Sequence, residues 1–342
     1  MNENEGIHVS EARYCLLCGC EGTLLYAGLR DRLFGAPGSW SLMRCPECQL
    51  VWLNPQPTSD DVGKFYIQYF THQKLETPKK ALAGLRKRVK TSILSSSFGY
   101  QMEGSNRIMG SVLSCIGPLR EIVSGRVMWL EAGEKGRLLD IGCGNGQFLD
   151  RMRQLGWEVV GVEPDELAVS VARERYGLEV FQGSLEEAKF PDRHFDAITM
   201  NHVIEHVPDP IGLLKECRRV LRPGGKLVVV TPNIKSVGRR MFNGAWLHWD
   251  PPRHLFLFSS QALRESAERA GLVIQDLWTT AKDAQWIWVT SSLIKRDGTL
   301  PGGSPETPEP SLRLQGLTFQ AIEHGLCSRR DLGEELVLSA TR

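Results

Sequence analysis

The sequence predicts an α/β protein that contains a parallel β-sheet and carries a small cysteine-rich module at its N-terminal end. From Arg137 onward, short apolar runs alternate with amphipathic segments, which is the pattern that βαβ units produce. The first apolar run leads directly into a glycine-rich turn and then a helix. Of the nine cysteines, four form two C-x₂-C pairs within the cysteine-rich module. Together these three observations predict the fold class.

The composition is that of a folded globular protein. Hydrophobic residues make up 42% of the 342 residues and charged residues 24%, which excludes disorder throughout the chain and a fibrous fold. The net charge is +1, so the chain as a whole does not attract nucleic acid or an anionic membrane. No apolar run approaches the roughly 20 residues that span a bilayer, and the acidic N-terminus is unlike a secretory signal. A cytoplasmic protein is therefore predicted.

Changes in composition along the chain predict three parts. Residues 1–75 form the cysteine-rich module, residues 76–135 a helical connector, and residues 136–342 the α/β domain. The basic stretch 79–90 is interpreted as a connecting helix with a solvated face, and the alternatives are peripheral membrane contact or a binding surface. Residues 297–311 are rich in proline, glycine and acidic residues, which predicts a flexible insert.

Seven strands and four helices can be placed in order along the α/β domain. The predicted strands are 138–141, 158–162, 178–181, 195–200, 226–230, 272–279 and 335–339. The predicted helices are 148–155, 165–176, 208–221 and 259–271. Asp165 suits the N-cap of the second helix, Gly224-Gly225 should end the third, and Gly271 should end the fourth.

The glycine-rich turn at 140–146 is the most informative motif. Glycine permits unusual backbone angles and lets the main chain approach a ligand, and the helix that follows offers unpaired N–H groups. Its G-x-G-x-G spacing differs from the G-x-G-x-x-G of dinucleotide enzymes. Glu163 follows at the end of the second strand, about twenty residues on, where a carboxylate can accept both ribose hydroxyls. An adenosine-type ligand with a free 2′-hydroxyl is therefore predicted.

Four motifs in order make the sequence resemble the class I S-adenosylmethionine-dependent methyltransferases. They are LLDIGCGNGQFL (138–149), VVGVEPDELAV (159–169), GSLEEAKFPDRHFDAITMNHVIEHV (183–207) and LRPGGKLVVVTPN (221–233). The resemblance covers about residues 137–290. It implies a Rossmann-like sheet of seven strands, mostly parallel with one antiparallel strand and flanked by helices, and S-adenosylmethionine as the methyl donor.

The same resemblance assigns residues to the cofactor. The cofactor-binding residues that it implies are Asp140, Gly142, Cys143, Gly144, Gly146, Glu163, Pro164, Ser184, Leu185 and Asn201. Glu163 would hold the ribose, with Pro164 beside it. Ser184 stands where many members have an aspartate, so adenine recognition is expected to rely on the main chain of Leu185. Asn201 would lie near the sulfonium.

The chemistry of methyl transfer identifies candidate catalytic residues. The reaction needs a positioned acceptor and the exclusion of water, and it needs a general base only where the acceptor has a proton to lose. Histidine titrates near neutrality, so His202, His206 and His254 are the candidate bases. For each the alternative is a structural role, and the sequence does not choose between them. Four tryptophans either stack over the acceptor or fill the core: Trp246, Trp249, Trp286 and Trp288.

The two cysteine pairs predict a structural metal site. Cys15, Cys18, Cys45 and Cys48 can present four thiolates to one tetrahedral zinc ion, and this leaves no open position for catalysis. A redox pair is the alternative, although no βαβ pattern surrounds either motif. The segment resembles the zinc-ribbon-like N-terminus of many bacterial methyltransferases, in which the second pair runs into a stretch like VWLNPQP (51–57).

The function predicted from these features is in-line methyl transfer to a small-molecule, sugar or glycan-linked acceptor. The glycan assignment follows from the resemblance alone. An RNA methyltransferase and a non-catalytic protein that binds S-adenosylmethionine are the alternatives. Nucleic acid is disfavoured because the chain has no large basic surplus to meet phosphates.

Overall fold

The computed structural model describes residues 6–66, 83–303 and 308–342. Its strands are β1 (Val9–Ser10), β2 (Thr23–Leu29), β3 (Trp40–Arg44), β4 (Val51–Asn54), β5 (Gln56–Pro57), β6 (Arg137–Ile141), β7 (Glu158–Glu163), β8 (Val180–Gln182), β9 (Phe195–Asn201), β10 (Leu221–Pro232), β11 (Phe256–Leu257), β12 (Val273–Thr280) and β13 (Glu335–Thr341). Its helices are α1 (Ser59–Val62), α2 (Ala83–Ser97), α3 (Arg107–Ser114), α4 (Gly117–Gly125), α5 (Gln147–Gln154), α6 (Glu166–Tyr176), α7 (Leu185–Ala188), α8 (Pro210–Val220), α9 (Val237–Phe242), α10 (Ser260–Arg269), α11 (Ala284–Asp297) and α12 (Pro310–Arg330). Among these described helices, none combines the length and the apolar character needed to cross a membrane.

The central sheet contains seven strands in the order β12-β13-β10-β9-β6-β7-β8. Strand β6 pairs in parallel with β7 and with β9, and β7 pairs in parallel with β8, whereas β12 and β13 are antiparallel. The predicted α/β class and its mostly parallel sheet are therefore confirmed. Because parallel strands end at the same edge, the residues that follow β6 and β7 become neighbours, with Asp140 opposite Gly161 and Ile141 opposite Val162.

Most predicted strands match the observed ones within two residues, but the fifth begins earlier than expected. Helix α8 ends at Val220, and β10 starts at Leu221 rather than after the two glycines. The prediction that Gly224-Gly225 ends the helix is therefore wrong. Arg222 at the start of β10 donates to Asp196 on β9 (2.7 Å).

Two helices near the C-terminal end, α11 and α12, were not expected from the pattern. Helix α12 begins within the predicted insert 297–311. The amides of Leu300 and Gly302 donate to the carbonyls of Arg32 and Leu33 (2.7 and 2.8 Å), so this described part of the insert is hydrogen-bonded to the N-terminal segment. Residues 304–307 lie outside the described chain, and the flexibility of the insert stays a prediction.

The chain forms two compact units. Of the described residues, the cysteine–histidine unit comprises 6–66, 201–218, 229–303 and 308–341, and the glycine-turn unit comprises 83–200, 219–228 and 342. Within the glycine-turn unit, α5, α6 and β8 share an apolar core, which includes Cys143, Leu149, Val169, Ala172, Leu178 and Val180. The three predicted domain ranges stay a prediction.

A second, four-stranded sheet in the cysteine–histidine unit has the order β11-β4-β3-β2. Phe256 on β11 lies opposite Trp52 on β4 in an antiparallel pair. This pairing joins the residues that follow His254 to the cysteine-rich segment, an arrangement that sequence spacing could not reveal. Of the basic stretch, residues 83–90 lie in α2, and residues 79–82 lie outside the described chain.

Candidate functional site

The glycine-rich turn connects β6 to α5 in a conformation that requires glycine. Gly142, Gly144 and Gly146 have φ angles of 67°, 52° and 80°, which is the left-handed region that other residues rarely adopt. A Cβ on Gly146 would also lie 2.6 Å from the Cδ1 of Leu178. The amide of Gly142 donates to the carbonyl of Val162 (2.8 Å), so the turn is held against the end of β7.

Two buried carboxyl groups stand at the ends of adjacent strands beside this turn. Glu163 accepts hydrogen bonds from the amides of Gly144 (2.8 Å) and Asp165 (3.0 Å), and Asp140 accepts one from the hydroxyl of Thr199 (2.7 Å). Burial raises the pKa of Glu163, and burial together with the charge of Glu163 raises the pKa of Asp140 to about 7. Within the described chain neither carboxyl group forms an ion pair. A bound cation would offset this uncompensated negative charge, so the pair fits a ligand that carries a sulfonium and an ammonium group.

The other predicted cofactor residues lie in different settings. Ser184 caps α7: its hydroxyl accepts from the amide of Glu187 (3.2 Å) while the Glu187 carboxylate accepts from the amide of Ser184 (2.7 Å). Leu185 and Cys143 are buried, and Pro164 is exposed directly after Glu163. Asn201 is the last residue of β9 and belongs to the cysteine–histidine unit. The structure therefore brings together the glycine turn, Asp140 and Glu163 in one unit.

Within the cysteine–histidine unit, a cavity of about 270 Å³ has several histidines and carboxylates in its wall. This histidine cavity is lined by Leu33, His202, Leu247, His248, Asp250, His254, Asp283, Trp286, Ile287 and Glu335. Trp286 is 36% exposed and supplies an aromatic surface. Trp246 and Trp249, in contrast, are buried, and the indole N–H of Trp246 donates to the Glu334 carboxylate (2.8 Å).

His202 lies between two buried carboxylates. Its Nδ1 is 3.0 Å from Glu205 Oε1 and its Nε2 is 2.6 Å from Glu335 Oε1, and since ionised carboxylates only accept, both ring nitrogens donate. Burial alone would lower the pKa of His202, but the two hydrogen bonds and the two charges raise it to about 10. His202 is therefore an imidazolium at neutral pH, and it has no lone pair with which to accept a proton.

His206 and His254 are neighbours whose Nδ1 atoms face main-chain carbonyls. Nδ1 of His206 lies 3.1 Å from the carbonyl oxygen of Arg253, and Nδ1 of His254 lies 2.7 Å from that of His248. A carbonyl oxygen can only accept, so each Nδ1 carries a proton, and in a neutral ring the lone pair is then on Nε2. Burial and the nearby His254 lower the pKa of His206 to about 4, which keeps it neutral. Of the two rings, His254 lines the histidine cavity.

A buried ion pair positions the segment that carries His254. The guanidinium of Arg253 is fully buried and donates to both carboxylate oxygens of Asp31 (2.7 and 2.8 Å) and to Asp250 (3.0 Å). One buried guanidinium thus faces two buried carboxylates. Removal of Arg253 would leave both carboxylates without this cation, which would be costly. Asp31 was not identified from the sequence, because it lies 222 residues from Arg253 along the chain.

Lys282 and Glu335 are two further residues that were not identified from the sequence. Lys282 donates to Glu335 (3.0 Å), and this cation together with His202 lowers the pKa of Glu335 to about 2 despite its burial. Glu335 follows Glu334 at the start of an apolar strand. Acidic residues that open a buried strand are unusual, and this was the one local indication of a role.

The four paired cysteines form a compact cluster. The sulfur atoms of Cys15, Cys18, Cys45 and Cys48 all lie within 4.8 Å of one another. The Sγ–Sγ distance is 3.4 Å between Cys15 and Cys48 and 3.2 Å between Cys18 and Cys45, too long for a disulfide bond of about 2 Å. All four thiols are free. Cys20 is not part of this group.

Known proteins are similar to this chain in the region of the glycine turn and beyond. The family described as "Methyltransferase domain" matches residues 120–277. The ubiquinone biosynthesis O-methyltransferase of Cereibacter sphaeroides is 31% identical over 180 residues, which cover 46% of this chain and 73% of that protein. The enzyme of the same name from Stutzerimonas stutzeri is 36% identical over 128 residues, or 34% of this chain and 54% of that protein.

Among solved structures, an S-adenosylmethionine-dependent methyltransferase from Mesorhizobium loti is similar with a TM-score of 0.41 and 18% identity, over 60% of this chain and 90% of that chain. The sequence match to the Cereibacter enzyme spans 73% of that protein, and the region that matches the family, residues 120–277, contains the glycine turn and Glu163. The chain belongs to the class I S-adenosylmethionine-dependent methyltransferases.

Proposed function

We propose that this methyltransferase acts on a hydroxyl group of a small polar acceptor, with His254 as the general base. The observation that carries the proposal is that His254, whose Nδ1 faces the carbonyl of His248, lines a cavity of about 270 Å³. A base is useful only where the acceptor must lose a proton, so its presence favours a hydroxyl acceptor. The names of the two relatives, both O-methyltransferases, support oxygen as the methylated atom.

The groups around His254 suit this role. The carbonyl of His248 fixes the tautomer and the ring orientation, so Nε2 is ready to accept a proton. The imidazolium of His202 supplies a fixed positive charge in the same cavity, which would favour the oxyanion that forms as the acceptor loses its proton. The exposed indole of Trp286 would cover one face of a sugar or an aromatic acceptor.

We assign the cofactor to the glycine turn. S-adenosylmethionine supplies an electrophilic methyl group on a good leaving group. Glu163 would hold the ribose and the bare main chain at Gly142–Gly146 would let the ligand approach closely, while Asp140 would offset its positive charge. Ser184, Leu185, Pro164 and Asn201 stay in the proposed set on the strength of the resemblance.

The test of the function is S-adenosylhomocysteine release from the purified protein with a panel of acceptors. We expect turnover with small hydroxylated compounds such as phenols, catechols or sugars, and a methyl ether as product, identified by mass spectrometry. Amines of matched size and structured RNA serve as comparison substrates. Methylation of RNA alone, or of amines alone, would contradict the proposal.

We also propose that Cys15, Cys18, Cys45 and Cys48 bind a structural zinc ion. A tetrahedral Zn–S site with bonds of about 2.3 Å has sulfur atoms about 3.8 Å apart, and the observed spacings need only a small expansion to reach this. The amide of Gly19 donates to the carbonyl of Cys15 (2.9 Å), which forms the tight turn of the first pair. The ion would stabilise the cysteine-rich segment.

The Cys45→Ser variant is expected to lose the bound zinc and to unfold at a lower temperature. Structural zinc contributes about 10–16 kcal/mol of apparent binding free energy in small zinc-binding peptides, so the loss of one thiolate should release most of the metal. Metal content by mass spectrometry and thermal unfolding by circular dichroism measure the two effects. Cys20→Ser is the matched control, since this thiol lies beside the cluster but outside it. Zinc-free wild-type protein, or equal zinc loss from both variants, would contradict the assignment.

A further inference from the structure

A second cavity in the cysteine–histidine unit has a strongly cationic wall. It measures about 250 Å³, and four of its seven lining residues are cations: Arg44, Lys235, Arg239 and Arg240. Among the described residues, no carboxylate lines it. Arg44 comes from the end of β3, whereas the other three lie in and before α9, so the chain brings like charges together from two distant segments. We call this the basic cavity.

The four cations of the basic cavity have no acidic partner among the described residues. None of the four cations forms an ion pair with a residue in the described ranges. The Nε of Arg239 is buried there without a hydrogen-bond acceptor. Burial and the nearby cations Arg240 and Arg44 lower the pKa of Arg239. Like charges that crowd around a buried, unsatisfied donor are unfavourable unless an anion joins them.

We propose that the basic cavity binds the phosphate or diphosphate group of a small ligand. Guanidinium groups form paired hydrogen bonds with phosphate oxygens, and Lys235 adds a point charge. Gln49, whose side-chain oxygen accepts from Arg44 Nη2 (3.3 Å), helps to orient that guanidinium. The basic cavity shares no lining residue with the histidine cavity, and the inference does not depend on methyl transfer.

The size and charge of the cavity favour a small ligand over a polymer. A cavity of about 250 Å³ with four cations in its wall suits the anionic group of a small ligand. A polyanion such as RNA would require cations over a wide surface, and the net charge of the whole chain is only +1.

Calorimetric titration of the protein with inorganic pyrophosphate tests the proposal. We expect saturable binding at one site, and Arg239→Gln should weaken it at least tenfold. Because Arg239 is half-buried, its replacement could also affect folding, so Lys235→Gln provides a second variant. We expect Lys235→Gln to weaken pyrophosphate binding more than threefold. Thermal unfolding of each variant confirms that it is folded. A nucleoside diphosphate should compete for the same site, which extends the test to phosphate carried by a larger molecule.

Arg269→Gln is the matched control. This arginine is a cation of the same unit, on α10, where it pairs with Glu265 outside the cavity. Its variant should bind pyrophosphate with wild-type affinity. The proposal is overturned by an absence of saturable binding or by equal weakening in Arg269→Gln, which would indicate diffuse attraction. Sedimentation with phosphatidylglycerol vesicles in the absence of pyrophosphate binding would equally overturn it, since that result indicates a membrane-binding surface.

Discussion

The kcat for methyl transfer to a hydroxyl acceptor is expected to fall by about 10²- to 10⁴-fold in the His254→Asn variant, because general-base catalysis contributes that much. Asparagine keeps an N–H that can donate to the carbonyl of His248, so the segment should stay in place while the Nε2 lone pair is lost. The KM for the acceptor and the Kd for S-adenosylmethionine should change little. Steady-state kinetics with calorimetry of cofactor binding separate these quantities.

His206→Asn is the informative comparison. His206 makes the same kind of Nδ1–H hydrogen bond, to the carbonyl of Arg253, but it is not among the residues that line the histidine cavity. We expect its variant to lose less than tenfold in kcat. If His206→Asn is the more damaged variant, the roles of the two rings are reversed. If both variants keep wild-type kcat, the acceptor needs no base and a hydroxyl acceptor is disfavoured.

Much of the fold was predictable because it follows from local patterns of apolar residues and glycines in the sequence. The strands β6 to β9 appear as short apolar runs. The left-handed φ angles in the turn after β6 require glycines, and these can be read directly from the sequence. Helices α11 and α12 were missed since their faces are mixed: α11 carries Trp286 and Trp288 beside polar residues, and no clear apolar stripe results. The start of β10 was misplaced because Gly224 and Gly225 lie within the strand and do not end α8.

The histidine cavity shows where sequence reasoning ends. His202, His206 and His254 were identifiable as titratable groups in or near recognisable motifs. The protonation state of His202 was not predictable from the sequence. The carboxylate of Glu335 lies 133 residues from His202 along the chain, and Lys282 donates to Glu335 from a third segment. The role of His202 as a proton acceptor stays a prediction from the sequence, and the two carboxylates that hold its ring argue for a fixed cation instead.

The Asp140→Asn variant should show opposite effects on cofactor binding and on the stability of the ligand-free protein. Asparagine can still accept from Thr199, but it lacks the charge that faces a cationic cofactor. Hydrogen bonds to charged groups contribute about 1.5–3 kcal/mol, which corresponds to an affinity for S-adenosylmethionine about 10- to 150-fold weaker. Calorimetric titration at pH 8 measures this loss.

The stability effect follows from the sign of the pKa shift. Folding raises the pKa of Asp140 from its ordinary 3.8 to about 7, so between these values the folded state binds more protons than the unfolded state. The free energy of unfolding therefore decreases as the pH rises through this range, and the destabilisation is complete above pH 7. Asp140→Asn should unfold at a higher temperature than wild type at pH 8, by about 2–4 °C for every kcal/mol relieved, and at nearly the same temperature at pH 4.

The Glu163→Gln variant removes the negative charge and also replaces one hydrogen-bond acceptor by a donor. Both oxygens of Glu163 accept from main-chain amides, so an amide side chain would place its NH₂ group against the N–H of Gly144 or of Asp165. We expect this variant to lose cofactor affinity like Asp140→Asn but to unfold at a lower temperature, because a buried donor is left unpaired. Were both variants equally stable and equally able to bind S-adenosylmethionine, the two carboxylates would not form the cofactor site. The two variants should therefore shift the unfolding temperature at pH 8 in opposite directions. The charge of Asp140 destabilises the ligand-free protein, whereas Glu163 holds two main-chain amides.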